Sequence, residues 1–174
     1  PVTLLNIKPE DEVLDLCAAP GGKTAQLISL GAKVTSIDDN KKRILRMEQN
    51  LKRLNYKSNI KNENIKNFST KKSWSKIILD APCSSTGTLR KNPEIIHQKK
   101  ESDIFSLAKL QSDLLDASWG LLKENGILIY CTCSMEKEEG EYQIESFLKR
   151  KKDSILDKIN TQEIDKKLNI IDKN

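Results

Sequence analysis

Histidine is almost absent from this sequence: His97 stands alone, and it reads as a surface or capping residue rather than a base or a ligand. Aromatic residues are thin, at 5%. No apolar run approaches the roughly 20 residues of a membrane-spanning helix, so neither a helical span nor a membrane partner is expected. There is no basic-then-apolar leader, no internal repeat and no low-complexity linker. The close cysteine pair, Cys131 and Cys133, is spaced too tightly for a zinc knuckle, and no metal is expected. Pro1 opens the chain as the first residue of a fragment would.

Cysteine is sparse: Cys17, Cys83, Cys131 and Cys133 make four. An even count permits disulfides, but 174 residues can build a core without staples and nothing marks secretion. All four are expected as reduced thiols in a cytoplasmic protein. Charge is what the sequence has in quantity. Charged residues make up 32%, with 30 basic against 25 acidic side chains and a net +5. That permits a polyanionic partner without requiring one.

The apolar pattern alternates between strand and helix, at a length that suits one domain. Glu12 to Leu16 is a short strand that stops in the turn Ala19-Pro20-Gly21-Gly22. Residues 23–30 read as a helix capped by Gly31, and 33–37 as a second strand ended by Asp38-Asp39-Asn40. From Lys41 to Leu54, Ile44, Leu45, Met47, Leu51 and Leu54 recur at helical spacing. A weaker strand is expected over 59–63, and a buried one over Ile77-Ile78-Leu79, broken by Pro82. A helix follows over about 103–122, with Leu107, Leu110, Leu114, Leu115 and Trp119 inward. A strand over 126–133 and a helix over 138–151 complete the pattern.

Such alternation predicts an α/β domain with a mostly parallel, doubly wound sheet and a ligand crevice beyond the carboxyl ends of its strands. The catalytic domain is expected over 1–152. Residues 153–174 hold enough Ile and Leu to continue the same domain and show no clear ending, so the sheet is expected to be truncated at its C-terminal strands. Lys149-Arg150-Lys151-Lys152 reads as a solvated helix end rather than an RNA contact.

Every unusual cluster falls at the carboxyl end of an expected strand. In Cys17-Ala18-Ala19-Pro20-Gly21-Gly22-Lys23, small residues let the backbone approach a ligand at a helix N-terminus. Asp38 can accept hydrogen bonds from both hydroxyls of a ribose. Together they describe a site for a nucleoside-containing cofactor. Gly22-Lys23-Thr24 also resembles the end of a P-loop, with Ile77-Ile78-Leu79-Asp80 as its magnesium-binding strand, and a nucleotide triphosphatase is the alternative. Against it, the P-loop needs a glycine where Cys17 stands, Pro20 removes an amide from the phosphate cradle, and Asp38 would be idle.

The run Asp15-Leu16-Cys17-Ala18-Ala19-Pro20-Gly21-Gly22-Lys23-Thr24, then Asp80-Ala81-Pro82-Cys83-Ser84, then Thr132-Cys133-Ser134, resembles one family. It is that of the RNA cytosine-5 methyltransferases, and within them the Sun/Fmu (RsmB-type) enzymes that modify small-subunit ribosomal RNA. Lys91-Asn92-Pro93-Glu94 resembles the segment that follows the family's Asp-Ala-Pro-Cys loop, and the similarity runs from Val2 to Arg150. The resemblance implies a Rossmann-like class I methyltransferase fold, S-adenosyl-L-methionine as cofactor and RNA as partner. It also implies a helical RNA-binding domain and further strands outside this sequence. A folded but inactive RNA-binding relative would share the fold, although every residue the chemistry demands is present.

The chemistry explains the cysteines. Carbon 5 of cytosine is a poor nucleophile, and a thiolate adding to carbon 6 turns the ring into an enamine that can attack a methyl group. A free thiol is scarcely ionised at neutral pH, so the site should favour the thiolate. The resemblance implies Cys133 as nucleophile, Cys83 as helper in product release and Asp80 as the group that activates the base. It further implies that Cys17, Ala18, Ala19, Pro20, Gly21, Gly22, Lys23, Asp38, Glu63 and Asp80 line the cofactor. Glu63 departs from the family pattern, because Asn64 and Ile65 follow it in place of a small residue and Arg. Cys17 is expected to offer its backbone rather than its thiol. Cys131 is expected as a small buried hydrophobe on the strand face of Cys133.

Overall fold

The computed structural model describes residues 1–95 and 100–157. His97 and the tail from 158 onward lie outside them. The elements run β1 (Glu12–Leu16), α1 (Gly22–Ser29), β2 (Lys33–Asp38), α2 (Lys41–Arg53), β3 (Asn59–Asn62), β4 (Trp74–Asp80), α3 (Glu101–Gly120), β5 (Leu122–Cys131) and α4 (Glu141–Arg150). All four strand pairings are parallel, in the order β3-β2-β1-β4-β5. The chain moves outward from β1 to β2 and β3, then returns to place β4 on the other flank of β1. That reversal between β1 and β4 is where a crevice opens beyond the strand ends.

Burial on both faces explains the short apolar runs. Leu14 and Leu16 of β1 and Ile77 and Leu79 of β4 pack with Leu114 and Leu115 of α3 and Phe147 of α4. Val13, Val34 and Ile78 face the other way, against Leu27 of α1 and the N-terminal residues Val2 and Leu5. Each fully buried aliphatic side chain contributes about 1.5–3 kcal/mol, so two-sided burial holds even a five-residue strand in register. Helix α1 closes as expected, with the Gly31 N–H donating to the Ile28 carbonyl and the Ala32 N–H to that of Leu27.

Several boundaries and faces differ from expectation. Strand β4 begins at Trp74, which packs on Phe68 with ring centroids 6.2 Å apart. Strand β5 starts at Leu122 and bulges: Trp74 pairs with Leu122 but Lys76 with Ile127, and Asn125 takes φ 58°. It ends at Cys131, opposite Asp80, so Cys133 lies past the ladder and shares no strand face with Cys131. Gly140 separates α4 from a 3-10 turn over Lys137–Glu139. Helix α3 buries Gln111, Leu114, Leu115 and Ser118, one stripe at helical spacing, while Leu110 is 36% exposed. Leu45 and Leu54 also stand outside the buried stripe of α2, which is Ile44, Met47 and Leu51.

Candidate cofactor loop and two-thiol site

The loop after β1 is laced to β2. The Ala18 N–H donates to the Ile37 carbonyl at 3.1 Å, and the Ala19 N–H to Asp38 Oδ2 at 3.1 Å. Asp38 Oδ1 accepts from the Asn40 N–H at 3.0 Å, and Arg43 lies 3.5 Å from the same carboxylate and donates to the Ala19 carbonyl. Asn50 holds the Pro20 carbonyl at 3.0 Å. Gly21 sits at φ +95° with its α-carbon against Met47, where an added Cβ would come within 2.8 Å of Cγ. Only glycine fits that contact and that backbone. Cys17, at φ 57°, has a thiol pushed up to about 12 by burial and by Asp38.

This loop fits a nucleoside cofactor. The start of α1 faces open space, since a Cβ built at Gly22 would meet nothing within 4 Å. The first amides of a helix lack intrahelical acceptors, and the oxygens of Asp38 have lone pairs left for hydroxyl donors. Glu63 is brought to the same end of the sheet, where its N–H donates to the Asp38 carbonyl at 3.2 Å. Its side chain is on the surface, 3.7 Å from Lys61.

Two loops meet across the switch point. Lys23, from the start of α1, places Nζ 2.5 Å from Asp80 Oδ2 at the end of β4. Burial disfavours the Lys23 charge, but the hydrogen bond to Asp80 and the attraction of the surrounding negative groups together outweigh it and raise the ammonium's pKa. Cys131 Sγ lies 3.5 Å from Asp80 Oδ1, and burial and that carboxylate push the thiol up to about 12.

Beyond the strand ends, Cys83 Sγ and Cys133 Sγ are 3.3 Å apart. The Cys133 N–H points at Cys83 Sγ at 3.3 Å, and Cys133 Sγ is 3.3 Å from the Ser85 hydroxyl. Cys133 is exposed and Cys83 half-buried; burial and the neighbouring Cys133 thiol raise the Cys83 pKa. Ser85, between Cys83 and Gly87, takes φ 63°, a conformation costly for a side-chain-bearing residue. Gly87 lies against the Cys133 carbonyl, its N–H donating at 3.0 Å where a Cβ would approach to 2.8 Å.

The expected site residues therefore all lie at the carboxyl ends of the parallel strands or in the loops that follow them, Glu63 joining through its backbone. The pattern missed Gln111 and Glu139, which meet each other and Ser84 beside the thiol loops. A polar residue at a buried position of α3 was the available signal. Among the described residues, no group of three or more His, Cys, Asp or Glu is clustered to hold a metal ion, and no helix is long and apolar enough to cross a membrane.

Comparison with known proteins points one way. The ribosomal RNA small subunit methyltransferase B of Photorhabdus laumondii is 42% identical over 160 residues, 89% of this chain and 37% of its own length. Its counterpart in Cronobacter sakazakii is 44% identical over 161 residues, 90% of this chain and 38% of its own. The chain thus spans well under half the length of the curated relatives it matches. NSun6 from Pyrococcus horikoshii, solved with SFG, superposes with a TM-score of 0.77 at 30% identity, covering 86% of this chain and 39% of that one. A methyltransferase homolog protein from the same organism gives 0.72 at 34% identity, covering 86% and 48%. The P-loop alternative is set aside, since Asp38, idle in that scheme, is built into the loop. The family described as 16S rRNA methyltransferase RsmB/F matches residues 2–173, and the chain belongs to it.

Proposed function

We propose that this chain is the catalytic part of an enzyme that transfers a methyl group from S-adenosylmethionine to carbon 5 of a cytosine in small-subunit ribosomal RNA, through a covalent cysteine adduct. In this reading the catalytic domain covers 1–152, residues 153–174 continue it, and the work is done in the cytoplasm. The observation that carries it is the 3.3 Å approach of two thiols beside the Lys23–Asp80 pair.

The Cys17–Lys23 loop and Asp38 bind the cofactor, the carboxylate taking the ribose hydroxyls, and Glu63 lies on the adenine side. When bound, S-adenosylmethionine supplies an electrophilic methyl group. The target base must leave its stack to reach the crevice. Asp80, oriented by Lys23, holds a proton at the ring nitrogen and draws electron density from carbon 6. Cys133 Sγ adds there, and carbon 5 takes the methyl group. A water molecule then takes the carbon 5 proton, its electron pair restores the ring double bond, and the carbon–sulfur bond breaks. Cys83, whose raised pKa keeps it a thiol, can return a proton to the departing sulfur.

A denaturing gel of the full chain with labelled small-subunit RNA and cofactor tests the roles. Cys83→Ala is expected to accumulate a protein–RNA adduct, and Cys133→Ala to show neither adduct nor turnover. An adduct with Cys133→Ala and none with Cys83→Ala reverses the two cysteines. Absence of transfer by the unmodified full chain sinks the activity.

A further inference from the structure

Neither thiol sits in a regular element: β4 ends three residues before Cys83 and β5 two residues before Cys133. The sheet ladder therefore does not set their separation. Behind them lies Glu139, a carboxylate with no exposed surface. Its Oε1 accepts from the Ser84 N–H at 2.9 Å and from Gln111 Nε2 at 2.8 Å. Its Oε2 accepts from the same N–H at 3.2 Å and from the Ser84 hydroxyl. Gln111 Nε2 also donates to the Pro82 carbonyl at 2.9 Å. The Ser84 and Ser134 hydroxyls are 3.0 Å apart.

Both neighbours of Cys83 and the residue after Cys133 are thus tied to one buried group. That group is itself fixed, because the Tyr130 hydroxyl donates to the Glu139 main-chain carbonyl at 2.8 Å. Other bonds also join the loops: Gly87 N–H to the Cys133 carbonyl and Met135 N–H to the Thr86 hydroxyl, each at 3.0 Å, and the contacts of Cys133 with Cys83 Sγ and the Ser85 hydroxyl and of Thr86 with Ser134, each at 3.3 Å. Among them only the soft contact to Cys83 Sγ touches Pro82–Ser84, whose main-chain groups are held by Glu139 and Gln111. Burial works against this carboxyl's charge, but the hydrogen-bond donors gathered around it outweigh burial and hold its pKa below the ordinary range. A buried ion costs several kcal/mol unless its lone pairs are met, and here donors converge on both oxygens. A glutamine could not replace it, since its amide nitrogen would face one of those donors.

We propose that Glu139 is a positioning residue that sets the juxtaposition of Cys83 and Cys133, by gripping Ser84 directly and Ser134 through it. The catalytic meaning of that juxtaposition rests on the two-thiol function proposed above. A chemical ruler tests the geometry without methyl transfer. Diamide takes two electrons and two protons from a pair of thiols, leaving a disulfide and a hydrazine. Its rate of cross-linking Cys83 to Cys133, assigned by peptide mapping, is compared in the full chain and its Glu139→Gln variant. Alkylation of the two cysteines by iodoacetamide corrects for thiol ionisation.

The variant is expected to cross-link about tenfold more slowly after that correction, and to lose about tenfold in kcat with the KM for S-adenosylmethionine within about twofold. Either the corrected cross-linking rate or kcat staying at the wild-type value overturns the proposal. If the unmodified chain cross-links rapidly yet transfers no methyl group, the activity fails by itself, and the cross-linking comparison still decides the role of Glu139. Should Glu139→Gln not fold by circular dichroism, Gln111→Met removes one donor and keeps the carboxylate. It is expected to slow cross-linking about threefold, and an unchanged rate has the same overturning force.

Discussion

Asp15, beneath the cofactor loop, and Glu139, behind the thiols, are both carboxyl groups with no exposed surface. Asp15 accepts one hydrogen bond, from the Thr24 hydroxyl at 2.5 Å, and its Oδ1 has no partner. Burial pushes it up to about 7. Glu139, met by donors on both oxygens, is held below the ordinary range although burial works against its charge. Asp15 sits in the central strand with one donor and Glu139 beneath surface loops with several, and depth and donor supply together decide which carboxyl keeps its charge. The two halves also differ in reach. Ala19 and Asp38 are 19 residues apart along the chain, whereas Ser84 and Glu139 are 55 apart. The cofactor half is closed by neighbouring segments, and the thiol half by a distant one.

The seam between the halves is the Lys23–Asp80 pair, and breaking it gives the largest expected effect. Asp80→Asn is expected to slow methyl transfer by about 10³-fold while weakening S-adenosylhomocysteine binding less than about tenfold, a split read from turnover and calorimetry together. Equal losses in both would place Asp80 wholly on the cofactor side. Asp38→Ala attacks one half alone. It is expected to weaken S-adenosylhomocysteine binding by about 10- to 100-fold in calorimetry, with the diamide rate of Cys83 and Cys133 untouched.

The smallest effect concerns the two buried carboxyls. Asp15, with its folded pKa near 7 against an ordinary value of 3.8, adds stability that is fully present below about pH 4 and lost as pH rises through 7. Glu139 works in the opposite sense: its contribution is present above its ordinary value of 4.5 and lost as pH falls through its depressed folded value. Asp15→Asn should therefore flatten the loss of stability between pH 4 and 8, read in denaturant melts across that range. A wild-type and variant difference that does not change with pH would show that Asp15 is ionised throughout.

The cofactor half is largely legible in the sequence, because its contacts join strands that are consecutive along the chain and its backbone needs are written in small residues. Cys17–Lys23 and Asp38 fall where alternation puts them, at the ends of β1 and β2. Glu63 is harder to place: its strand is short, at Asn59–Asn62, and the backbone rather than the carboxylate meets Asp38. The bulge in β5 is illegible, since it depends on what β4 presents opposite it, and Cys133 stands off the strand because the ladder ends at Asp80 and Cys131. Gln111 is hidden by its polarity, which makes Leu110 look the better inward residue of α3.

Periodicity and local chemistry along the chain are enough for the α/β class, the glycine loop and the acidic residue that ends β2, while the roles expected of Cys83 and Cys133 come from the family resemblance. Those features depend on residue type and on spacing of a few residues, which a linear pattern carries. The 3.3 Å approach of Cys83 to Cys133 and the buried grip of Glu139 come only with the folded chain. They depend on loops beyond the sheet being pulled together by the Gln111 donor of α3 and the Glu139 acceptor in the turn before α4. No local pattern encodes a meeting of that kind, because its energy arises only once water is excluded from all of its partners at once.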